Sequence, residues 1–241
     1  MYKRMRFFTE VCMSFKLNYF TKAEWTLWGT SVFMIVGTFL FFQQGDYLSL
    51  TASLIGVTAL IFNAKGNPFG QVLGIAFSLL YGYISFTCSY YGEMITYVGM
   101  TAPMSLYALI CWLRHPYGAG RAEVKVGSIS RREGIFAVIL SIVVTVVFYF
   151  ILQAFGTANL LPSTLSVTTS FLAVYLTARR SPLFAVAYAA NDLVLILLWG
   201  LAVLEDPSYL SVVVCFVMFF VNDIYGFINW SRMRQRQAAA A

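Results

Sequence analysis

The sequence predicts an all-α integral membrane protein with eight transmembrane helices. Three observations carry that prediction. The first is composition: of 241 residues, 60% are hydrophobic and 11% are charged, against about 25% charged in a soluble domain. The second is a series of eight apolar runs, most of them near the roughly 20 residues that cross a bilayer, separated by polar breaks. The third is the placement of charge. All 16 Lys and Arg residues fall before the first run or after the second, fourth, sixth and eighth. The breaks on the other side carry only Asp46, Glu93, Glu205 and Asp206. Such alternation follows the positive-inside rule and places both termini in the cytoplasm. The net charge of +6 is thereby explained by topology and anionic lipid, and nucleic acid is not an expected partner.

In chain order, residues 1–22 mix Lys3, Arg4, Arg6, Lys16 and Lys22 with Phe7, Phe8, Val11 and Phe15. No small-residue cleavage site follows a short apolar core, so the segment reads as amphipathic and surface-lying rather than as a signal peptide. The apolar runs are expected over 23–42, 47–62, 68–90, 93–112, 133–155, 160–177, 181–203 and 209–230. Asn63-Ala-Lys-Gly-Asn67 forms one break, and the long, basic connection 113–132 forms another. Residues 238–241 read as a tag remnant or a frayed end.

An internal repeat refines the architecture. Tyr107-Ala-Leu-Ile-Cys-Trp112-Leu-Arg114 closes the fourth run and Tyr225-Gly-Phe-Ile-Asn-Trp230-Ser-Arg232 closes the eighth, both as Y-x-x-I-x-W-x-R. Upstream, Gly56-Val57-Thr58 is echoed by Ser166-Val167-Thr168. Four spans separate the copies, so they share one orientation. The expected division is an extra helix within 23–46, a three-helix repeat over 47–114, a basic loop and linker helix over 115–159, a second three-helix repeat over 160–232, and a tail over 233–241. Parallel repeats of this kind place a solute site between them near the midplane.

Catalysis has little to work with. The one histidine, His115, lies beside Arg114 at a span end and reads as interfacial. Gly66 and Gly70 flank a turn rather than a phosphate loop. Cys12, Cys88, Cys111 and Cys215 lack metal or redox spacing. No enzyme activity, catalytic residue, cofactor or metal is expected.

Binding is better served. Tyr188, Asp192 and Trp199 share one face of the seventh run, and a carboxylate inside a span is costly enough to suggest a function. Asn191-Asp192 recurs as Asn222-Asp223. Each dipeptide reads either as a helix clamp or as part of a site; Asp192 is the stronger site candidate, and Asp223 is assigned to the cytoplasmic arginines. Gln71, Tyr97 and Asn222 join the candidate wall by face and polarity. Ser78 and Ser85 read as close-packing residues. Glu93 opens a helix on the outer side, where it either serves the helix dipole or gathers a cationic solute at an entrance. Trp25, Trp28, Trp112 and Trp230 lie at span ends and read as belt residues; Trp199 admits both the belt and the site reading. A planar, cationic ring would gain from such aromatics. A non-transporting scaffold is the rival from another class. It would pair these residues with one another and leave no cavity.

Asn63-Ala-Lys-Gly66, Ser78-Leu-Leu-Tyr81, Tyr90-Tyr-Gly-Glu93 and Tyr225-Gly-Phe-Ile-Asn-Trp230 resemble the PnuC family of vitamin-precursor transporters over residues 20–235. The resemblance implies the 3+1+3 arrangement shared with SWEET-type sugar transporters, in a bacterial inner membrane. It implies uptake of nicotinamide riboside by facilitated diffusion, without ATP or ion coupling, and trapping by cytosolic phosphorylation. Partners would be the small-molecule vitamin precursor, the lipid bilayer and copies of the chain in a dimer or trimer. Family members for nicotinamide riboside often carry Trp-x-x-Trp one turn before an Asn or Asp on the seventh segment. With that acid set on Asp192, the pair falls on Ala185 and Tyr188. Thiamine, riboflavin or another nucleoside-like precursor is therefore the alternative solute.

Overall fold

The computed structural model describes residues 19–42, 46–118, 122–157 and 159–240. The surface segment expected over 1–22 lies mostly outside them, as does Cys12. Among the described residues, eight helices are long and apolar enough to cross a membrane. They are α1 (Lys22–Phe42), α2 (Tyr47–Ala64), α3 (Phe69–Thr87), α4 (Tyr91–Arg114), α5 (Arg131–Ala154), α6 (Leu160–Ala178), α7 (Leu183–Val203) and α8 (Leu210–Ala239). A short 3-10 turn, Pro207–Tyr209, leads into α8.

Local chemistry sets several ends. Asp46 caps α2 by accepting from the Ser49 amide at 3.0 Å, and Ser130 caps α5 through the Glu133 amide at 3.2 Å. Gly66 turns the chain between α2 and α3 at φ +65°, which glycine adopts without a Cβ penalty. Several expected boundaries move, among them the ends of α2 and α8. Asn63 and Ala64, expected in a break, complete α2. The last helix runs nine residues beyond Trp230, to Ala239. Its polar end is rich in helix-favouring Arg, Gln and Ala, and it docks on the basic loop. Gln237 donates to the Glu123 side chain (2.8 Å) and the Val124 carbonyl (3.1 Å), and accepts from the Val126 amide (2.8 Å).

α4 is not a continuous α-helix. Ile95–Thr101 forms a π-helical segment just before Pro103. Proline removes one amide donor and crowds the carbonyl four residues back, and a widened turn relieves both. The wider turn buries adjacent positions together: Thr96 with Tyr97, and Met100 with Thr101.

α3 lies between α2 and α4. α6 lies against α7, α5 and α4, while α8 runs along α7 and α2 and touches α1. α5 sits at the periphery. Phe136, Ile139, Val143, Val147 and Phe150 are exposed along it, as suits contact with lipid.

The two motif tryptophans correct the belt expectation. Trp112 and Trp230 are fully buried and meet at 5.3 Å between ring centroids. Trp112 Nε1 donates to the Thr177 carbonyl at the end of α6, and Trp230 Nε1 donates to the Asn63 carbonyl at the end of α2, both at 2.8 Å. A buried indole N–H needs an acceptor. Each here finds one on another helix, α4 bonding to α6 and α8 to α2. Trp25, by contrast, is 47% exposed at its span end.

Candidate functional site

A polar seam runs through the bundle between α3–α4 and α6–α8. Near the acidic end stands Trp199, fully buried, which removes the belt alternative for it. Its Nε1 donates to the Tyr81 hydroxyl at 2.6 Å. Its ring lies 4.9 Å from Tyr90, 5.4 Å from Tyr209 and 6.2 Å from Tyr81. Tyr97, from the π segment, packs on Tyr81 at 4.5 Å. Four phenols thus gather around one indole or its neighbour, offering several electron-rich faces.

Deeper in, Asn191 accepts at its Oδ1 from Thr169 (2.8 Å), Ser170 (2.9 Å) and Ser166 (3.4 Å) of α6. The Tyr97 hydroxyl reaches the same amide. Ser166 also donates to Glu93 Oε2 at 3.3 Å. Glu93 is fully buried, so it lines the interior rather than an open entrance. The first turn of α4 carries it inward, against α6.

Asp192 faces Asp223 across the α7–α8 contact, and the two carboxyls are within hydrogen-bonding reach. Asp223 is therefore not held by arginines; its place in the middle of α8 keeps it far from the basic end, where every described arginine lies. No hydroxyl or amide donor reaches Glu93 Oε1 or Asp192 Oδ2, and both are buried. Buried polar atoms are nearly always satisfied; Asp192 has the Asp223 carboxyl in reach, and Glu93 Oε1 is the carboxyl oxygen open to another group's donor.

The expected site residues divide. Glu93, Tyr97, Asn191, Asp192 and Trp199 converge. Tyr188 borders the seam toward the basic end and packs edge-on against Phe184 at 6.2 Å. Gln71 stands apart and bonds Asn63 at 2.8 Å. Asn222 points toward α1 and donates to Ser31 at 3.0 Å. Residues not assigned from sequence are Tyr90, Tyr209, Thr169 and Ser170, together with Asp223 in its new role. The hydroxyl-rich run Ser166 to Ser170 carried a signal, since it lies within one span, but it was legible only as a repeat echo.

The seam is closely packed. A space of about 20 Å³ lies beside Tyr81, Phe77 and Cys215. A larger cavity of about 820 Å³ opens at the basic end, lined by Glu24, Lys65, Glu123, Tyr225, Arg232 and Arg236 among others. Polar residues of α4, α6, α7 and α8 thus converge on this seam.

Comparison with known proteins gives the arrangement its context. The chain is 26% identical over 201 residues to a nicotinamide riboside transporter PnuC of Neisseria mucosa, covering 82% of this chain and 76% of that one. It is 20% identical over 208 residues to the protein of the same name from Haemophilus influenzae, covering 86% and 89%. The fold is that of a crystal structure of the vitamin B3 transporter PnuC, with a TM-score of 0.81 at 23% identity over 95% of this chain and 97% of that one. A family model described as nicotinamide mononucleotide transporter matches residues 46–232, from the cap of α2 to the basic end of α8, and the chain belongs to that transporter family.

Proposed function

We propose that this transporter takes up nicotinamide riboside by facilitated diffusion, with both termini cytoplasmic in a bacterial inner membrane, and that phosphorylation in the cytosol traps the solute. The observation that carries the reading is the seam, in which an indole and four phenols adjoin an amide and three carboxyls between the two helix groups. A pyridinium ring would stack on the aromatics, ribose hydroxyls would meet Asn191 and the α6 hydroxyls, and Asp192 would face the positive charge. The naming of both curated relatives for this solute supports it, and so does the segregation of basic residues. The reciprocal Trp112 and Trp230 bonds support two parallel repeats joined by α5, with α1 as the extra helix. A dimer or trimer of the chain is part of the same reading.

One observation favours a second solute. Ala185 stands where nicotinamide riboside members often carry an indole. It is buried, and a Cβ built on Gly226 of α8 would lie 3.7 Å from the Ala185 Cβ. There is no room for an indole there, so the ring must stack at Trp199 or belong to thiamine, riboflavin or another nucleoside-like precursor.

The test is a titration of purified protein with nicotinamide riboside, thiamine and riboflavin in parallel, following tryptophan fluorescence. Saturable quenching by nicotinamide riboside is expected, with Trp199 as the reporting indole. Binding of another solute alone would reassign the substrate and point to Ala185 and Tyr188 as the cause; no binding by any of the three would sink the reading. Asp192→Asn should weaken a cationic solute by about 1.5–3 kcal/mol, the worth of a hydrogen bond to a charged group. Unchanged binding would remove Asp192 from the site.

A further inference from the structure

The cavity of about 820 Å³ at the basic end is separate from the seam, and neither Asp192 nor Trp199 lines it. Its wall comes from the start of α1, the turn after α2, the basic loop and the end of α8. Three cations, Lys65, Arg232 and Arg236, face it together with two carboxylates, Glu24 and Glu123. Each carboxylate already holds one cation. Glu24 accepts from Lys65 Nζ at 3.0 Å, and Glu123 accepts from Arg236 at 2.5 and 2.6 Å. Arg232 is left over: it is exposed and has no ion-pair partner among the described residues. The described lining thus carries one surplus positive charge.

An apolar groove begins where this cavity ends, and Glu24 borders both. The groove holds about 170 Å³ between α1 and α2, walled by Phe20, Trp25, Trp28, Ile61 and Phe62. Phe20 packs edge-on to Trp25 at 5.6 Å and to Phe62 at 5.4 Å, and Trp25 meets Trp28 at 5.7 Å. Trp28 spends its N–H on the Thr58 hydroxyl at 3.1 Å, so that wall asks for no polar ligand. Trp28 lies four residues beyond Glu24, about 6 Å deeper along the helix axis. The groove therefore runs from the charged cavity toward the middle of the membrane. Trp25, half exposed, opens it to the lipid side.

A charged cavity continuous with an apolar groove at a span end fits an amphiphile with an anionic head. We propose that the two together form a built site for an anionic phospholipid of the leaflet at the basic end. Its phosphodiester lies against Arg232, and one acyl chain lies along Trp25 and Trp28. A phosphodiester carries one negative charge, which matches the one positive charge left over. A zwitterionic headgroup brings an ammonium as well, which the surplus charge repels. Basic pockets between spanning helices are suited to such headgroups. The bound lipid fastens α1 to the turn after α2, to the basic loop and to α8. No residue of the solute seam lines either space, so failure of this inference leaves the transport reading standing.

The experiment is thermal unfolding of the full-length protein in detergent with one of three additions. These are phosphatidylglycerol, phosphatidylcholine with the same chains, and glycerophosphoglycerol, which is the anionic headgroup without chains. Phosphatidylglycerol at a hundredfold excess over its dissociation constant should raise the midpoint by roughly 5–10 °C. The other two should raise it little. Arg232→Gln should lose most of the rise. Arg114→Gln, exposed at the same end but outside the cavity, should keep it. Native mass spectrometry of the wild type from mixed micelles should show phosphatidylglycerol retained over phosphatidylcholine, a readout that needs no variant.

Four outcomes overturn the proposal. Equal rises with the two lipids remove recognition of the anion. Glycerophosphoglycerol as effective as the whole lipid removes the groove from the site. Equal losses in Arg232→Gln and Arg114→Gln mean diffuse attraction to a basic face. No rise with either lipid, with a midpoint that climbs with protein concentration, gives the groove to a second copy of the chain.

Discussion

An indole taken out of water must find an acceptor for its N–H, and three of the five tryptophans do so fully inside the bundle. Trp199 uses a side-chain hydroxyl, that of Tyr81, where Trp112 and Trp230 use backbone carbonyls. The bond at Trp199 ties α7 to α3, so it stabilises their apposition as well as the rotamers of both rings. Trp199→Phe keeps most of the apolar area but leaves the Tyr81 hydroxyl without its donor. The expected cost is about 1–3 kcal/mol, read as a lower midpoint of thermal unfolding in detergent; an unchanged midpoint would show that the bond carries no net stability. The tie between residues 81 and 199 was not legible in the sequence, because nothing local pairs positions 118 apart. Trp199 itself was legible as a site candidate, from its shared face with Asp192. Its belt alternative arose from proximity to a span end, which burial by Tyr90 and Tyr209 overrides.

At the scale of elements, α1 shows how the first spanning helix is anchored. Glu24 is buried and accepts from Lys65 Nζ at 3.0 and 3.1 Å and from the Tyr225 hydroxyl at 3.0 Å. One carboxylate thus joins α1 to the turn after α2 and to α8. Lys65 also lies 4.8 Å from the Tyr19 ring centroid, a cation–π contact that helps it to stay. Further along α1, Trp28 Nε1 donates to Thr58 at 3.1 Å. Lys65→Met strands Glu24 without its cation. Removing one partner of a fully buried pair costs roughly 3–5 kcal/mol; Lys65 keeps partial contact with water, so about 2–3 kcal/mol is expected here. The double variant Glu24→Leu/Lys65→Met should recover most of that loss, as two apolar groups replace the pair. Thermal unfolding of the three proteins checks both statements, and a double variant as unstable as the single would refute the account. Helix number and order were legible from hydropathy alone. The ends were less so where tertiary contacts decide them, as when Gln237 docks on the 122–126 strand of loop and extends α8. The π segment had its cue in Pro103, whose missing amide is visible in the sequence, yet periodicity alone reads straight through it.

At the scale of the whole molecule, the outer surface is apolar and the interior is partly polar, the reverse of a soluble domain. Leu79, Val98, Leu165, Leu193 and Ile224 are exposed while Glu93, Asn191, Asp192 and Asp223 are buried. Inversion of this kind is stable only where lipid covers the outside and neighbouring helices shelter the polar groups. The sheltering is what hydropathy could not show: it marks the spans that carry carboxyls, not the faces that meet. The same chain orientation separates two sets of charges. Lys65, Lys125, Arg179 and Arg232 lie at one end of the helices, and Glu205 and Asp206 at the other, so each span crosses once. Single cysteines placed at the exposed positions Lys125 and Asp206, in a background with Cys12, Cys88, Cys111 and Cys215 replaced by serine or alanine, should therefore report opposite sides. In intact cells a membrane-impermeant thiol reagent is expected to label Asp206→Cys and to spare Lys125→Cys until the membrane is opened. Labelling of position 125 alone would invert the topology and place the seam's Trp199 end toward the cytosol. Labelling of both before permeabilisation would mean that the basic loop and the α7–α8 turn share one face, which the alternation of Lys and Arg along eight spans forbids.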